Sequence, residues 1–305
     1  MRTSVALSVV LQPCLLEVSS AAKRFERGRS VKAVHRLRVA IRRAHTALTV
    51  FRELAPTKSS SHMNEELHRL QRRIGVVREW DVFIAGALCK SAKASDRRRF
   101  SLASAKASRR RKKAARRSAA DFGGKRFRKL MRHLDAYVAL VRNSGAGRTS
   151  TVATETGDPP KDPPVSVFAK EVLIKYYKRF EQDRDKAADL DSLHLHALRI
   201  RVKKLRYVAE FFRELYAVRP MRRFLSELTV FQDQLGEMHD SYSAQSKLVE
   251  LGGKRKSRDV LLACQRKSST SSKLAAAESA ISATAGVIGV EQRYSARPGG
   301  AAPHG

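Results

Sequence analysis

Apolar residues recur at three- and four-residue intervals along most of the chain. The clearest stripe, Val34, Leu37, Ile41, Ala44, Leu48 and Phe51, marks one face of an amphipathic helix. Leu195, Leu198, Val202, Leu205, Ala209 and Phe212 trace the same pattern. The two stretches align without a gap, residues 34–54 (VHRLRVAIRRAHTALTVFREL) on residues 195–215 (LHALRIRVKKLRYVAEFFREL). His35 falls on His196, Arg38 on Arg199, Phe51 on Phe212, and Arg52-Glu53-Leu54 on Arg213-Glu214-Leu215. The same offset carries Leu67, Leu70, Gln71, Ile74, Gly75 and Glu79 onto Leu228, Phe231, Gln232, Leu235, Gly236 and Asp240. Two segments in one register predict duplication of a helical pair.

The second helix of each pair carries its stripe at Leu67, Leu70, Ile74 and Val77, or at Leu228, Phe231, Leu235 and Met238. Ser30 and Asp191, equivalent under the offset, predict N-caps that place each histidine just over one turn into its helix. Pro56 and Pro220 follow the predicted helix ends. Gly75 and Gly236 recur inside the second helices, where glycine costs about 1 kcal/mol relative to alanine; close backbone approach at that point is the expectation. No strand alternation or hairpin signal competes, so the fold class is all-α.

Residues 143–166 (NSGAGRTSTVATETGDPPKDPPVS) are rich in Gly, Ser, Thr and Pro and read as a flexible linker. It separates an N-terminal helical half, 1–142, from a C-terminal half, 167–288, with a disordered tail over 289–305. Residues 5–16 (VALSVVLQPCLL) have the composition of a short signal, but Gln12 and Pro13 interrupt the apolar run and no cleavage site follows. The stretch is read as a first bundle helix kinked at Pro13. No run is expected to approach the roughly 20 apolar residues that span a bilayer, so no transmembrane segment is expected.

Charge then narrows the function. The 305 residues hold 62 Lys and Arg against 29 Asp and Glu, a formal net charge of +33, with 42% hydrophobic residues. This is too apolar for simple disorder and too basic for an indifferent surface, so an anionic partner is expected: nucleic acid, anionic membrane or polyphosphate. Cys14, Cys89 and Cys264 are odd in number and widely spaced, which suggests neither a disulfide framework nor a zinc ribbon and fits a reducing, cytoplasmic compartment.

On the first repeated helix, His35, Arg38, Arg42 and His45 follow the spacing three, four, three and form a basic stripe beside the apolar one. His196, Arg199, Lys203 and Arg206 repeat it. If the apolar stripes pack together, the two basic stripes border the seam and repel unless something anionic lies between them. Arginine forks phosphate oxygens, lysine supplies a point charge, and a protonated histidine donates from either ring nitrogen. For one helix a solvated basic face explains such a stripe; its recurrence in register favours an extended polyanion. His194 and His196 form only an H-x-H pair without an accompanying cysteine or carboxylate cluster, so no metal site is expected. Glu79 and Asp240 read as salt-bridge partners that orient nearby arginines.

At these residues the chain resembles the CHAD domain family (conserved histidine α-helical domain), whose helices carry a His-x-x-Arg motif followed by paired basic residues in both halves. The motifs stand here as VHRLRVAIRR and LHALRIRVKKLRY, with REWDV and LGEMHD in the following helices, and the resemblance covers roughly residues 20–250. It implies an all-α domain of two related antiparallel helical bundles with pseudo-twofold symmetry and a basic central cleft that binds inorganic polyphosphate. Carried over by motif, the contacts would be His35, Arg38, Arg42, Arg43, His196, Arg199, Lys203, Lys204 and Arg206. His45 stands where the family usually has arginine, and the basic stretch from Arg97 to Arg117 is unusually dense.

The expectation is therefore polyphosphate binding without catalysis, at polyphosphate or other storage granules. No Walker A loop, nucleophile elbow, metal-binding triad or E-x-E-x-K strand signature calls for a reaction or a cofactor. A nucleic-acid-binding protein is one alternative, although Phe100 is almost the only aromatic near the Arg97–Arg117 stretch, leaving backbone contact without base stacking. A structural protein of polymer granules is the other.

Overall fold

The computed structural model describes residues 1–51, 58–86, 97–145, 162–186, 192–251 and 270–289. Nine α-helices are found among them, with no strand: α1 (Thr3–Gly28), α2 (Val31–Phe51), α3 (Lys58–Gly86), α4 (Arg97–Gly123), α5 (Lys125–Gly145), α6 (Val165–Lys186), α7 (Ser192–Phe211), α8 (Val218–Glu250) and α9 (Thr270–Val287). A 3₁₀ turn, Arg213–Leu215, joins α7 to α8. The expected cap at Asp191, the residues around Pro56 and most of the linker and tail lie outside the described residues. The helices reach into both edges of the predicted linker, α5 to Gly145 and α6 from Val165. Pro220 lies in the first turn of α8, where its missing N–H costs no helical bond.

The periodicity of the repeated helices is realised as burial. All six stripe residues of α2 and all six in and just beyond α7 are buried, as are Leu67, Leu70, Ile74, Val77, Leu228, Phe231 and Leu235. Each large apolar side chain removed from water, Val, Leu, Ile or Phe, contributes about 1.5–3 kcal/mol, so these stripes bind the helices to one another. α2 packs between α1 and α3, and α7 between α6 and α8. Contacts from Thr49 to Asn64, His45 to His68 and Arg38 to Gly75 run in opposite directions along the chain, so α2 and α3 are antiparallel. Arg206–Gln232 and Arg199–Gly236 show the same for α7 and α8.

The two central helices, α2 and α7, meet directly, and α3 meets α8. Their contacts rise together, Arg43 against Tyr207 and Phe51 against Phe212, so α2 and α7 run in the same sense. The equivalent phenylalanines Phe51 and Phe212 have ring centroids 5.9 Å apart, and Phe168 of α6 stacks on Phe51 at 5.4 Å. Aromatic packing thus closes one end of the α2–α7 seam. A second tie holds the halves at the start of the chain: the Asp162 carboxylate accepts from the Ser4 backbone N–H at 2.9 Å and the Ser4 hydroxyl at 2.7 Å. It serves α1 as an N-terminal cap donated by a residue far along the sequence.

α1 corrects one expectation. It is long and apolar enough to cross a membrane by length and composition. Gln12 and Pro13 interrupt the apolar run as a string of letters, yet the helix continues through both, and Glu17 is the only charged residue between Thr3 and Ala22. In this fold Leu7, Leu11, Leu15, Val18 and Phe25 are buried against the bundle, while Val9 and Leu16 are exposed. It packs chiefly on α2 and α5, and also touches α4 and α6. Cys14, on the same helix, is a free buried thiol whose pKa is raised by that burial. Beyond α8, α9 packs Ile281 and Ala285 into the core and its Thr284 hydroxyl donates to Glu227.

Candidate functional site

Ser30 caps α2 as expected: its hydroxyl oxygen accepts the Ala33 backbone N–H at 3.2 Å. His35 follows at the exposed edge of the helix, and one turn further Arg38 turns inward. The guanidinium of Arg38 lies across Gly75 of α3, so close that a Cβ at residue 75 would stand 3.0 Å from Nη1. The equivalent pair repeats the arrangement more loosely, with Arg199 Nη2 3.7 Å from the Cβ position of Gly236. The recurring glycine therefore seats the recurring arginine, and the close approach involves a side chain rather than a second backbone.

Seated there, Arg38 is an expensive cation. Its pKa is pushed down to about 10, chiefly by burial and then by the charges of Arg42, Arg199 and Arg78, with Glu79 opposing. A depression of that size means that the charged form costs on the order of a few kcal/mol. α2 and α7 are in contact, and the charge of Arg199 bears on Arg38, so the two motif arginines lie near each other across the halves. His196, whose pKa is lowered by burial and then by Arg199, Lys203 and Arg38, joins them from α7. His35 is likewise lowered by burial, then by Arg78, Arg38 and Arg42. Two basic stripes thus face one another across the seam, with Glu79 opposing part of the repulsion at Arg38 and His196.

The sequence-predicted residues divide into two groups. His35, Arg38, Arg42, His196, Arg199 and Lys203 come together at this seam. Arg43 and Arg206 also reach the seam, but one carboxylate holds both. Glu210 accepts from Arg43 Nη1 at 2.7 Å and, through its other oxygen, from Arg206 Nη1. Arg206 further donates to Gln232 and lies over the Tyr207 ring at 4.9 Å. Lys204 is turned toward α6, its pKa lowered by burial and by Arg201 and Arg179. His45 sits beside His68 of α3, ring centroids 5.6 Å apart. The first group gathers cations and imidazoles at the seam; in the second, Arg43 and Arg206 join α2 to α7 through Glu210.

Two further residues belong to the site. Arg78 of α3 bears on both His35 and Arg38, although periodicity alone gave it no role. Its place in the REWDV motif, three residues beyond Gly75 on the facing helix, was the available signal. Glu79 raises the pKa of Arg38 and His196, yet its ion pair is with Lys247 of α8, Nζ to Oε2 at 3.2 Å, not with an arginine. Lys247 also lies 4.7 Å above the Trp80 ring. The side chain of Asp240, the other predicted acid, lies outside the described residues. Among the described residues, no three His, Cys, Asp or Glu converge as a metal-binding group. The chemistry on offer is the binding of an anion by paired guanidinium, ammonium and imidazole donors.

Against known families, the model of the CHAD domain matches residues 9–249. Among solved structures, the chain is similar to a crystal structure of the CHAD domain from the plant Ricinus communis, with a TM-score of 0.73 and 24% identity over 91% of each chain. It is also similar to PptA from Streptomyces chartreusis, with a TM-score of 0.58 and 16% identity over 93% of this chain and 99% of that one. At these identities the solved structures bear on the fold alone. No functionally curated protein matches the chain.

Proposed function

The chain belongs to the CHAD domain family, and from that premise we propose that it binds inorganic polyphosphate between α2 and α7, without catalysing a reaction. The observation that carries the proposal is the pairing of Arg38 with Arg199 across the seam. The charge of Arg38 is disfavoured first by burial and then by Arg42, Arg199 and Arg78, with Glu79 only partly opposing, and an anion between the helices would favour it. Arg42 and Lys203 extend the cationic lining along both helices, with His35 and His196 as further donors at its edge, as a linear polyanion requires and a single small anion does not. The two helical pairs act in this reading as copies of one unit, each supplying half of the lining. We place the protein in the cytoplasm, at polyphosphate or other storage granules.

The test is direct binding of sized polyphosphates to the full chain at several salt concentrations, with competition by nucleic acid. Polyphosphate should displace nucleic acid far better than the reverse at equal phosphate. The logarithm of affinity should fall roughly linearly with the logarithm of salt as counterions are released. Affinity indifferent to salt, or nucleic acid winning the competition, would overturn the proposal.

A further inference from the structure

The dense basic stretch finds its place on α4, where its charges are arranged in an unusual way. Ala107, Ala115, Ser118 and Phe122 are buried, so the helix is docked on the bundle. Arg111 alone of the central cations turns inward: Nε donates to Asp81 of α3 at 2.8 Å, and Nη2 donates to the Arg29 carbonyl at 2.7 Å. Arg109, Arg110, Lys112, Lys113, Arg116 and Arg117 are exposed. None of these six makes an ion pair with a described residue. Like charges stand four residues apart at Arg109 and Lys113, Lys112 and Arg116, and Lys113 and Arg117, each pair opposing the helix by a few tenths of a kcal/mol. The nearby acids give no relief, since Asp81 is taken by Arg111 and Asp121 by Arg69 and Arg73.

The position of this face relative to the cleft gives it meaning. α3 passes in order beneath Arg38 at Gly75, beside His35 at Arg78, and against Arg111 at Asp81. At 1.5 Å per residue, those six residues advance about 9 Å along the helix axis. The Arg29 carbonyl that Arg111 grips lies immediately before the Ser30 cap of α2. α4 therefore stands at the His35 end of the cleft, where Lys32 and Arg36 of α2 are exposed as well.

We infer that the exposed face of α4 is a second polyanion-binding site, continuous with the His35 end of the cleft, which engages only chains long enough to leave it. This rests on the polyphosphate reading of the cleft and adds a preference for length. A short polyphosphate is held by the α2–α7 lining alone; a long one also runs over α4 and gains its six cations.

The experiment uses the full chain, tripolyphosphate, long-chain polyphosphate and single-stranded DNA, with the substitutions Arg109→Gln, Arg110→Gln, Lys112→Gln and Lys113→Gln combined. Glutamine keeps helix propensity close to that of lysine and arginine, and circular dichroism and Tm confirm the fold. Long-chain affinity should fall by about tenfold or more with a shallower salt slope, while tripolyphosphate affinity stays at the parent value. A companion variant with Arg109→Lys and Arg110→Lys should keep long-chain binding, because charge is what is required. Equal loss for both lengths, or none for either, overturns the inference and leaves the cleft reading standing. Loss confined to DNA would make α4 a nucleic-acid surface and overturn it too. If the parent binds neither polyphosphate, both readings fail.

Discussion

α2 and α7 carry the same stripe, yet the two helices use it differently. At the first two positions they agree: a histidine at the edge, then an arginine laid over a glycine of the next helix. At the fourth they part, His45 beside His68 on one side and Arg206 bound to Glu210 on the other. The paired basics diverge as well, since Arg43 crosses to Glu210 of the opposite half while Lys204 stays with its own, beside Arg179 and Arg201. The difference teaches that a repeated cation is not a repeated role. Arg38 and Arg199 each lie over a glycine of the next helix, where the proposed ligand would meet them; Arg43 and Arg206 share one acid, Glu210, and hold the halves together.

The largest effect should come from reversing charge at the shared positions. Arg38→Glu with Arg42→Glu, and separately Arg199→Glu with Lys203→Glu, should each reduce polyphosphate affinity by about a hundredfold or more, with helicity unchanged by circular dichroism. Parent-like binding by either variant, measured by titration calorimetry, would break the idea of one cleft built from both halves.

Glu210→Gln sharpens the contrast from the other side. It leaves Arg43 and Arg206 partly buried without a countercharge, and urea titration should show a loss of about 2 kcal/mol. Polyphosphate affinity should change little. A marked gain in affinity would mean that Glu210 was restraining two ligand arginines, and the division into two groups would be wrong.

Smaller effects are expected at the glycines. Gly75→Ala meets Arg38 Nη1 at 3.0 Å and should displace that guanidinium, lowering affinity severalfold; Gly236→Ala, at 3.7 Å, should leave binding intact. Alanine favours a helix interior by up to about 1 kcal/mol, so Gly236→Ala should raise Tm. Equal binding losses at both glycines would erase the difference in seating.

The smallest effect concerns His35 and His196, at the edge of the cleft, both lowered below the ordinary histidine value by partial loss of water around the ring and by neighbouring cations. A bound polyanion raises both, so binding takes up protons between the lowered free-state pKa and the higher bound-state one. Affinity should rise as pH falls through the bound-state pKa and level off below the free-state pKa. Replacing both by Gln should flatten that profile. Identical profiles in parent and variant would assign the histidines a neutral structural role.

The helices, their buried faces and the repeat register were legible because each depends on residues within a few positions of one another. Three- and four-residue periodicity places Leu37 and Ile41, or Leu198 and Val202, on one face whatever the surroundings. The pairing of Arg38 with Gly75 and Arg199 with Gly236 was legible as recurrence, though not as contact. What only the tertiary structure decided is which charge each long cation meets. A guanidinium on a flexible stem reaches any of several neighbours, and the choice depends on how helices distant in sequence are set side by side. So Glu210 captured Arg43 and Arg206, Asp81 turned Arg111 inward, Arg78 joined the site from α3, and Asp162 capped α1. The apolar length of α1 belongs with these, because letters alone counted Gln12 and Pro13 as interruptions, whereas a packed helix carries both on its exposed side while its inner face is buried.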